Sequence, residues 1–146
     1  MDPIIPARRP EPFDDDAWLF DLKLDGFRGV ADTIAGRMLS KNGNRLKRYE
    51  ALLDALPAGY VFDGEIVALD DAGRPVFNAL LFGRQLPVYV PFDLMVADGE
   101  DVRIAPLKER RAMLAKSAPV PAVRSPIIGG KRRIPIHKKG PTRGQG

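Results

Sequence analysis

Between Trp18 and Val96 the chain is cut into short runs by turn residues, and several runs alternate apolar and polar side chains with a period of two. Phe20, Leu22 and Leu24 alternate with Asp21, Lys23 and Asp25, while Val88, Val90, Phe92 and Leu94 alternate with Tyr89, Pro91, Asp93 and Met95. Successive side chains of a strand leave opposite faces, so such a run puts one row on a core and the other row away from it. Strands are predicted over residues 18–25, 27–33, 37–40, 60–69 and 88–96, with turns at Asp25-Gly26, Gly36, Asn42-Gly43, Asp70 to Gly73 and Asp98-Gly99. Pro91 has no N–H to give a ladder, so it predicts an edge strand or a bulge.

Helices are expected to flank the sheet. Leu46, Tyr49, Leu52, Leu53 and Leu56 recur at helical spacing before Pro57 and Gly59, which predicts about three turns of amphipathic helix packed on a sheet face. Pro106 introduces a charged helix over 107–116 with Leu107, Arg111 and Leu114 along one stripe. The stretch from Pro75 to Arg84 fits helix or loop equally. The fold class is therefore α+β, with antiparallel strands and flanking helices.

The two ends differ from the middle. Residues 1–16 hold Pro3, Pro6, Pro10, Pro12 and the triplet Asp14-Asp15-Asp16, an irregular lead-in. Residues 117–146 contain seven bases, no acid, five prolines and five glycines, an extended or disordered basic tail. The net charge of +4 thus divides into +7 for the tail and −3 for residues 1–116, where 16 bases meet 19 acids. A single folded unit over 17–116 with a modest core follows from the length. There is no cysteine, and the lone His137 excludes a multi-histidine metal site. With no run near the roughly twenty apolar residues of a membrane span and no signal-peptide order, a soluble cytoplasmic protein is expected.

Chemistry concentrates at Lys23-Leu24-Asp25-Gly26-Phe27-Arg28. Strand alternation places Lys23 on the face of Asp21 and Asp25, and a turn at Asp25-Gly26 is expected to bring Arg28 back beside it. A lysine amine becomes a nucleophile when burial or a nearby cation depresses its pKa; the two aspartates oppose this unless a metal ion occupies them. From the residues alone, a hairpin with a solvated lysine is the other reading.

The pattern Lys-x-Asp-Gly-x-Arg resembles the nucleophile motif of the covalent nucleotidyltransferases, which comprise DNA ligases, RNA ligases and messenger-RNA capping enzymes. Ser40-Lys41-Asn42-Gly43, Phe62-Asp63-Gly64-Glu65-Ile66-Val67 and Tyr89-Val90-Pro91-Phe92-Asp93-Leu94-Met95 are similar to later motifs of the same family, in the same order. The resemblance implies that Lys23 attacks the α-phosphate of a nucleotide and forms a phosphoramide. It implies that Arg28 contacts the nucleotide or a 5′-phosphate, and that Glu65 meets the ribose hydroxyls and a metal ion. Phe92 falls where the family stacks a ring on the nucleobase, although by residue type alone it reads more readily as core. Lys41 stands in place of an arginine, keeping the charge and losing the bidentate fork, which weakens that contact or passes it to Arg45. Asp21 stands where the DNA ligases carry a glutamate that recognises adenine, on a shorter side chain.

The run from Asp98-Gly99-Glu100-Asp101 through Pro106-Leu107-Lys108-Glu109-Arg110-Arg111 resembles bacterial ATP-dependent DNA ligases, including the ligase domains of end-joining proteins. This implies ATP and Mg²⁺ as cofactors and nicked or broken double-stranded DNA as substrate. The later Glu-Gly-x-x-x-Lys and Lys-x-Lys motifs and the oligonucleotide-binding barrel find no match in residues 117–146. A truncated, impaired adenylation domain is expected, with a partner as one source of the absent parts. An RNA ligase, a capping-type enzyme and a non-catalytic nucleic-acid-binding remnant are the alternatives.

Overall fold

The computed structural model describes residues 24–70, 76–83 and 85–117. The strands are β1 (Phe27–Asp32), β2 (Arg37–Ser40), β3 (Val61–Ala68), β4 (Pro87–Ala97) and β5 (Glu100–Asp101). They form one antiparallel sheet in the order β2-β1-β3-β4-β5. Two short α-helices, α1 (Phe77–Leu81) and α2 (Leu107–Ser117), and a 3-10 helix (Lys47–Ala55) pack beside it, so the chain is α+β as its patterning implied.

Local chemistry closes the first hairpin. Asp32 Oδ1 accepts the amides of Ile34 and Ala35 at 3.1 and 2.9 Å, and Gly36 takes a positive φ of 66° before β2 begins. The pairing that results sets Gly29 against Ser40 and Asp32 against Arg37. Beyond β2, the predicted helix is wound more tightly than expected. Tyr49 N–H donates to the Leu46 carbonyl and Leu56 N–H to that of Leu53, both i to i+3 bonds. With three residues per turn, Leu46, Tyr49 and Leu52 fall in line, so their spacing satisfies the tighter helix as well as an α-helix.

β3 shows how alternation organises the layers. Phe62, Ile66 and Ala68 are fully buried and join Ala31, Met38, Tyr49, Leu80, Tyr89, Leu94 and Leu114 in the main core. Val61, on the other row, joins Val30, Met95 and Val96 in a smaller apolar cluster on the opposite face. Burying an aliphatic or aromatic side chain of this size stabilises a fold by roughly 1.5–3 kcal/mol.

α2 departs from the expected stripe. Arg110 and Leu114, four residues apart, are its buried side chains, whereas Leu107 is 36% exposed. Pro91 stands at a slip in the β3–β4 register, so the bulge predicted from it is present. Among the described residues, β5 covers only Val96 and Ala97 of β4, which leaves the Pro91 end of that strand an edge. No described helix is long and apolar enough to cross a membrane. The lead-in over 1–16, the strand expected over 18–25, His137 and the tail from residue 118 onward lie outside the described residues.

Candidate active site

Two glycines make the site possible by emptying the core side of the sheet behind it. Gly29 and Gly64 are direct cross-strand partners. A Cβ on Gly64 would come within 2.7 Å of the Tyr89 ring and 2.5 Å of the Val90 carbonyl. The Tyr89 side chain fills this space instead, and its hydroxyl donates to the carbonyls of Gly29 and Phe62 at 2.8 and 3.2 Å. Burial holds its phenol neutral, with a pKa well above the usual value. The neighbours of these glycines, Arg28 on β1 and Asp63 and Glu65 on β3, belong to the alternate rows of their strands.

On that face Arg28 lies directly across from Glu65. Its guanidinium reaches diagonally to Asp63, with Nε donating to Oδ1 at 3.0 Å and Nη2 to Oδ2 at 2.5 Å. The Asp63 hydrogen bond raises the arginine pKa further above its ordinary value. The same guanidinium sits 5.6 Å from the centre of the Phe92 ring, within cation–π range. Burial raises the Glu65 carboxyl above the usual carboxylate range, against the opposing pull of Arg28.

The position of Phe92 comes from an irregularity. Gly64 pairs with Pro91 and Asp63 with Asp93, so Phe92 is the extra residue of a bulge and has no partner on β3. Phe92 is half-buried and outside both apolar clusters, which decides against the core reading of its residue type. The register also sets two aspartates opposite each other. Asp63 is matched by Arg28, and Asp93 by Arg110, which donates from Nε and Nη2 at 2.8 and 2.9 Å.

Lys41 is carried on an ordered loop at the end of β2. The Ser40 hydroxyl accepts the amides of Asn42 and Asn44 at 3.3 and 3.1 Å, and Gly43 has a φ of 80°. Because Ser40 pairs with Gly29, the exposed Lys41 leaves the sheet one step beyond, at the level of Arg28. Arg45 is less suited to take over the nucleotide contact, since its fork grips Glu50 at 2.6 and 3.1 Å.

Of the residues singled out in the sequence, Arg28, Glu65 and Phe92 share one face and Lys41 borders it; Asp21 and Lys23 lie outside the described residues. The role expected of Gly26 needs correction. Gly26 is not among the glycines with positive φ; instead, a Cβ there would collide with the Ile66 carbonyl oxygen. The motif glycine is demanded by close backbone packing on β3, and both flanks of Gly29 to Asp32 are occupied by β2 and β3. Asp63, on the same row of β3 as Glu65, has both its carboxylate oxygens on Arg28 and so is not free to join Glu65 at a metal ion. Among the described residues no three His, Cys, Asp or Glu side chains gather as a metal site. Glu65 alone still fits Mg²⁺, which commonly takes one or two protein carboxylates together with substrate phosphates. The buried pair of Arg110 and Asp93 carried no sequence signal beyond the i, i+4 relation of Arg110 to Leu114.

No protein-family model matches the chain. It is 42% identical over 109 residues to the multifunctional non-homologous end joining protein LigD of Pseudomonas aeruginosa, an alignment covering 66% of this chain and 13% of that protein. It is 29% identical over 114 residues to the SPbeta prophage-derived DNA ligase-like protein LigB of Bacillus subtilis, covering 71% of this chain and 42% of that one. Among solved structures it resembles a mycobacterial DNA ligase D complexed with ATP and MES, with a TM-score of 0.59 and 26% identity over 72% of this chain and 38% of that chain. The chain therefore spans less than half the length of these relatives. In sequence and in sheet the chain is thus similar to a part of the ATP-dependent DNA ligases, and it spans only that part of their length.

Proposed function

We propose that this segment carries the nucleotide-handling half of a DNA ligase reaction, with Lys23 as nucleophile. The Lys23 amine, having lost its proton to solvent, attacks the α-phosphorus of ATP. A nitrogen–phosphorus bond forms, the bond to the bridging oxygen breaks, and pyrophosphate leaves. AMP then passes to a DNA 5′-phosphate, and a 3′-hydroxyl displaces it to join the strand.

The observation that supports this reading best is the convergence on one face of Arg28, Glu65 and Phe92, with Arg28 directly across from Glu65 and 5.6 Å from the centre of the Phe92 ring. Phe92 offers a surface on which adenine stacks, an interaction worth roughly 1–3 kcal/mol for a base on an aromatic ring. Glu65 accepts from the ribose hydroxyls. Arg28, oriented beforehand by Asp63, presents a fixed positive charge to phosphate oxygens, where catalysis is mainly positioning and charge neutralisation. Lys41 adds an exposed charge at the rim, and Asp21 corresponds in sequence to the residue with which the DNA ligases recognise adenine. Mg²⁺ held by Glu65 would neutralise phosphate charge. Relatives named for DNA ligation and end joining favour broken or nicked DNA as acceptor and DNA repair as the setting.

The 146 residues contain no convincing Lys-x-Lys motif, so adenylation by this chain alone is expected to be slow and nick sealing absent. The test is incubation with α-labelled ATP and Mg²⁺ beside Lys23→Ala. Label confined to the unsubstituted chain, and prevented by excess unlabelled ATP but not by GTP, supports the reading. Equal labelling of both proteins removes Lys23 from the chemistry.

A further inference from the structure

We infer that Arg110 is a positioning residue for the nucleotide site, acting through Asp93 and the bulge that presents Phe92; this rests on the nucleotide reading above. Arg110 is 6% exposed and Asp93 9%. Nε and Nη2 grip the two oxygens of Asp93, while Nη1 donates to the carbonyls of Ala105 and Arg103 at 2.6 and 3.4 Å. Asp93 Oδ1 also accepts the amide of Leu94 at 2.8 Å. One guanidinium thus ties the residue after Phe92 to α2 and to the loop before it.

The need for such a tie follows from the register. A bulge has one residue too many, and a slip by one would set Phe92 opposite Asp63 in place of Asp93. The ring would then leave its place beside Arg28. Buried ion pairs are weak contributors to net stability compared with apolar pairs of similar size, and their best-attested use is to fix a register. Here the carboxylate of Asp93 is held in place by three donors, the Leu94 N–H and the two nitrogens of the Arg110 fork. Lysine in place of Arg110 keeps the charge but has no planar fork to hold both Asp93 oxygens while reaching the two carbonyls.

The test uses the whole chain, with ATP affinity measured by calorimetry and the Phe92 ring followed by fluorine NMR of fluorophenylalanine-labelled protein, assigned with Phe92→Leu. Two variants are compared: Arg110→Lys, and the apolar replacement Arg110→Met with Asp93→Leu. In whichever variant melts cooperatively, ATP binding is expected to weaken about tenfold, within the range for loss of one stacked base, and the Phe92 resonance to shift or split. On a Phe92→Leu background the same substitutions are expected to add no further loss. Unchanged affinity and an unchanged resonance overturn the inference, as does a full further loss on the Phe92→Leu background. Absence of ATP binding by the unsubstituted chain overturns the nucleotide reading itself, while the resonance still decides whether Arg110 holds the ring.

Discussion

The bulge in β4 stands between two arginine–aspartate pairs that look alike in chemistry and differ in surroundings. Both are bidentate, and their aspartates face each other across β3 and β4. The Arg110 side chain is 8% exposed and anchored by further carbonyls, whereas that of Arg28 is 19% exposed and borders a half-buried ring and a glutamate. Like charges set opposite each other on paired strands repel, so each aspartate needs its own cation. The closed pair defines where the strand sits, and the open pair holds a charge where a ligand can reach it. On the proposed function, one motif of interaction serves framework in one place and chemistry in the other, and the exposure of the arginine makes the difference.

The sharpest way to break this distinction is to remove each arginine in turn. Arg110→Met should cost about 3–5 kcal/mol in urea unfolding, because it strands a buried carboxylate. Arg28→Met should cost less, about 1.5–3 kcal/mol, because Asp63, although only 4% exposed, lies behind the more exposed of the two arginines, whose removal lets water in. Equal losses would erase the contrast. Phe92→Ala comes next, with ATP binding weaker by about 1–3 kcal/mol in calorimetry while unfolding changes far less. A stability loss larger than the binding loss would return Phe92 to the core.

Glu65→Gln sharpens the comparison on the open side. Burial raises the Glu65 pKa in the folded chain, so the fold binds that proton more tightly than the unfolded state does. Its contribution to stability is present in acid and is lost as pH rises through the raised value. The glutamine variant should therefore melt higher than the unsubstituted chain at pH 7, with the gap closing below about pH 4, the ordinary glutamate range. A variant that melts lower at pH 7 would mean that Arg28 outweighs desolvation. The smallest effect is expected for Lys41→Ala, with stability unchanged within about 0.5 kcal/mol. ATP binding should weaken by about 0.2–1 kcal/mol at low salt and not at high salt, as for an exposed charge.

Much of the sheet was legible because alternation and turn residues are local. β2 falls where Arg37 to Ser40 were read, and β1, β3 and β4 end within a residue of expectation. The helix after β2 was legible as an element but not in its winding, since Leu46, Tyr49 and Leu52 suit either period. Arg110 was not legible. In Lys108-Glu109-Arg110-Arg111 nothing local separates a buried arginine from a solvated one, and the choice is made by Asp93, seventeen positions away. Gly26 shows the converse, a glycine recognised correctly for a reason that proved different.

The order of chemical groups along the chain, from the lysine motif to the aspartate and glutamate around Gly64 and then to Phe92, belongs to the sequence, because side-chain type and spacing need no fold to be read. Which of them meet was decided only by tertiary structure. Strand register brought Arg28 across from Glu65, one extra residue in β4 turned Phe92 toward Arg28, and desolvation raised the pKa of Glu65. Those outcomes depend on partners distant in sequence and on the exclusion of water, neither of which a local pattern of residues contains.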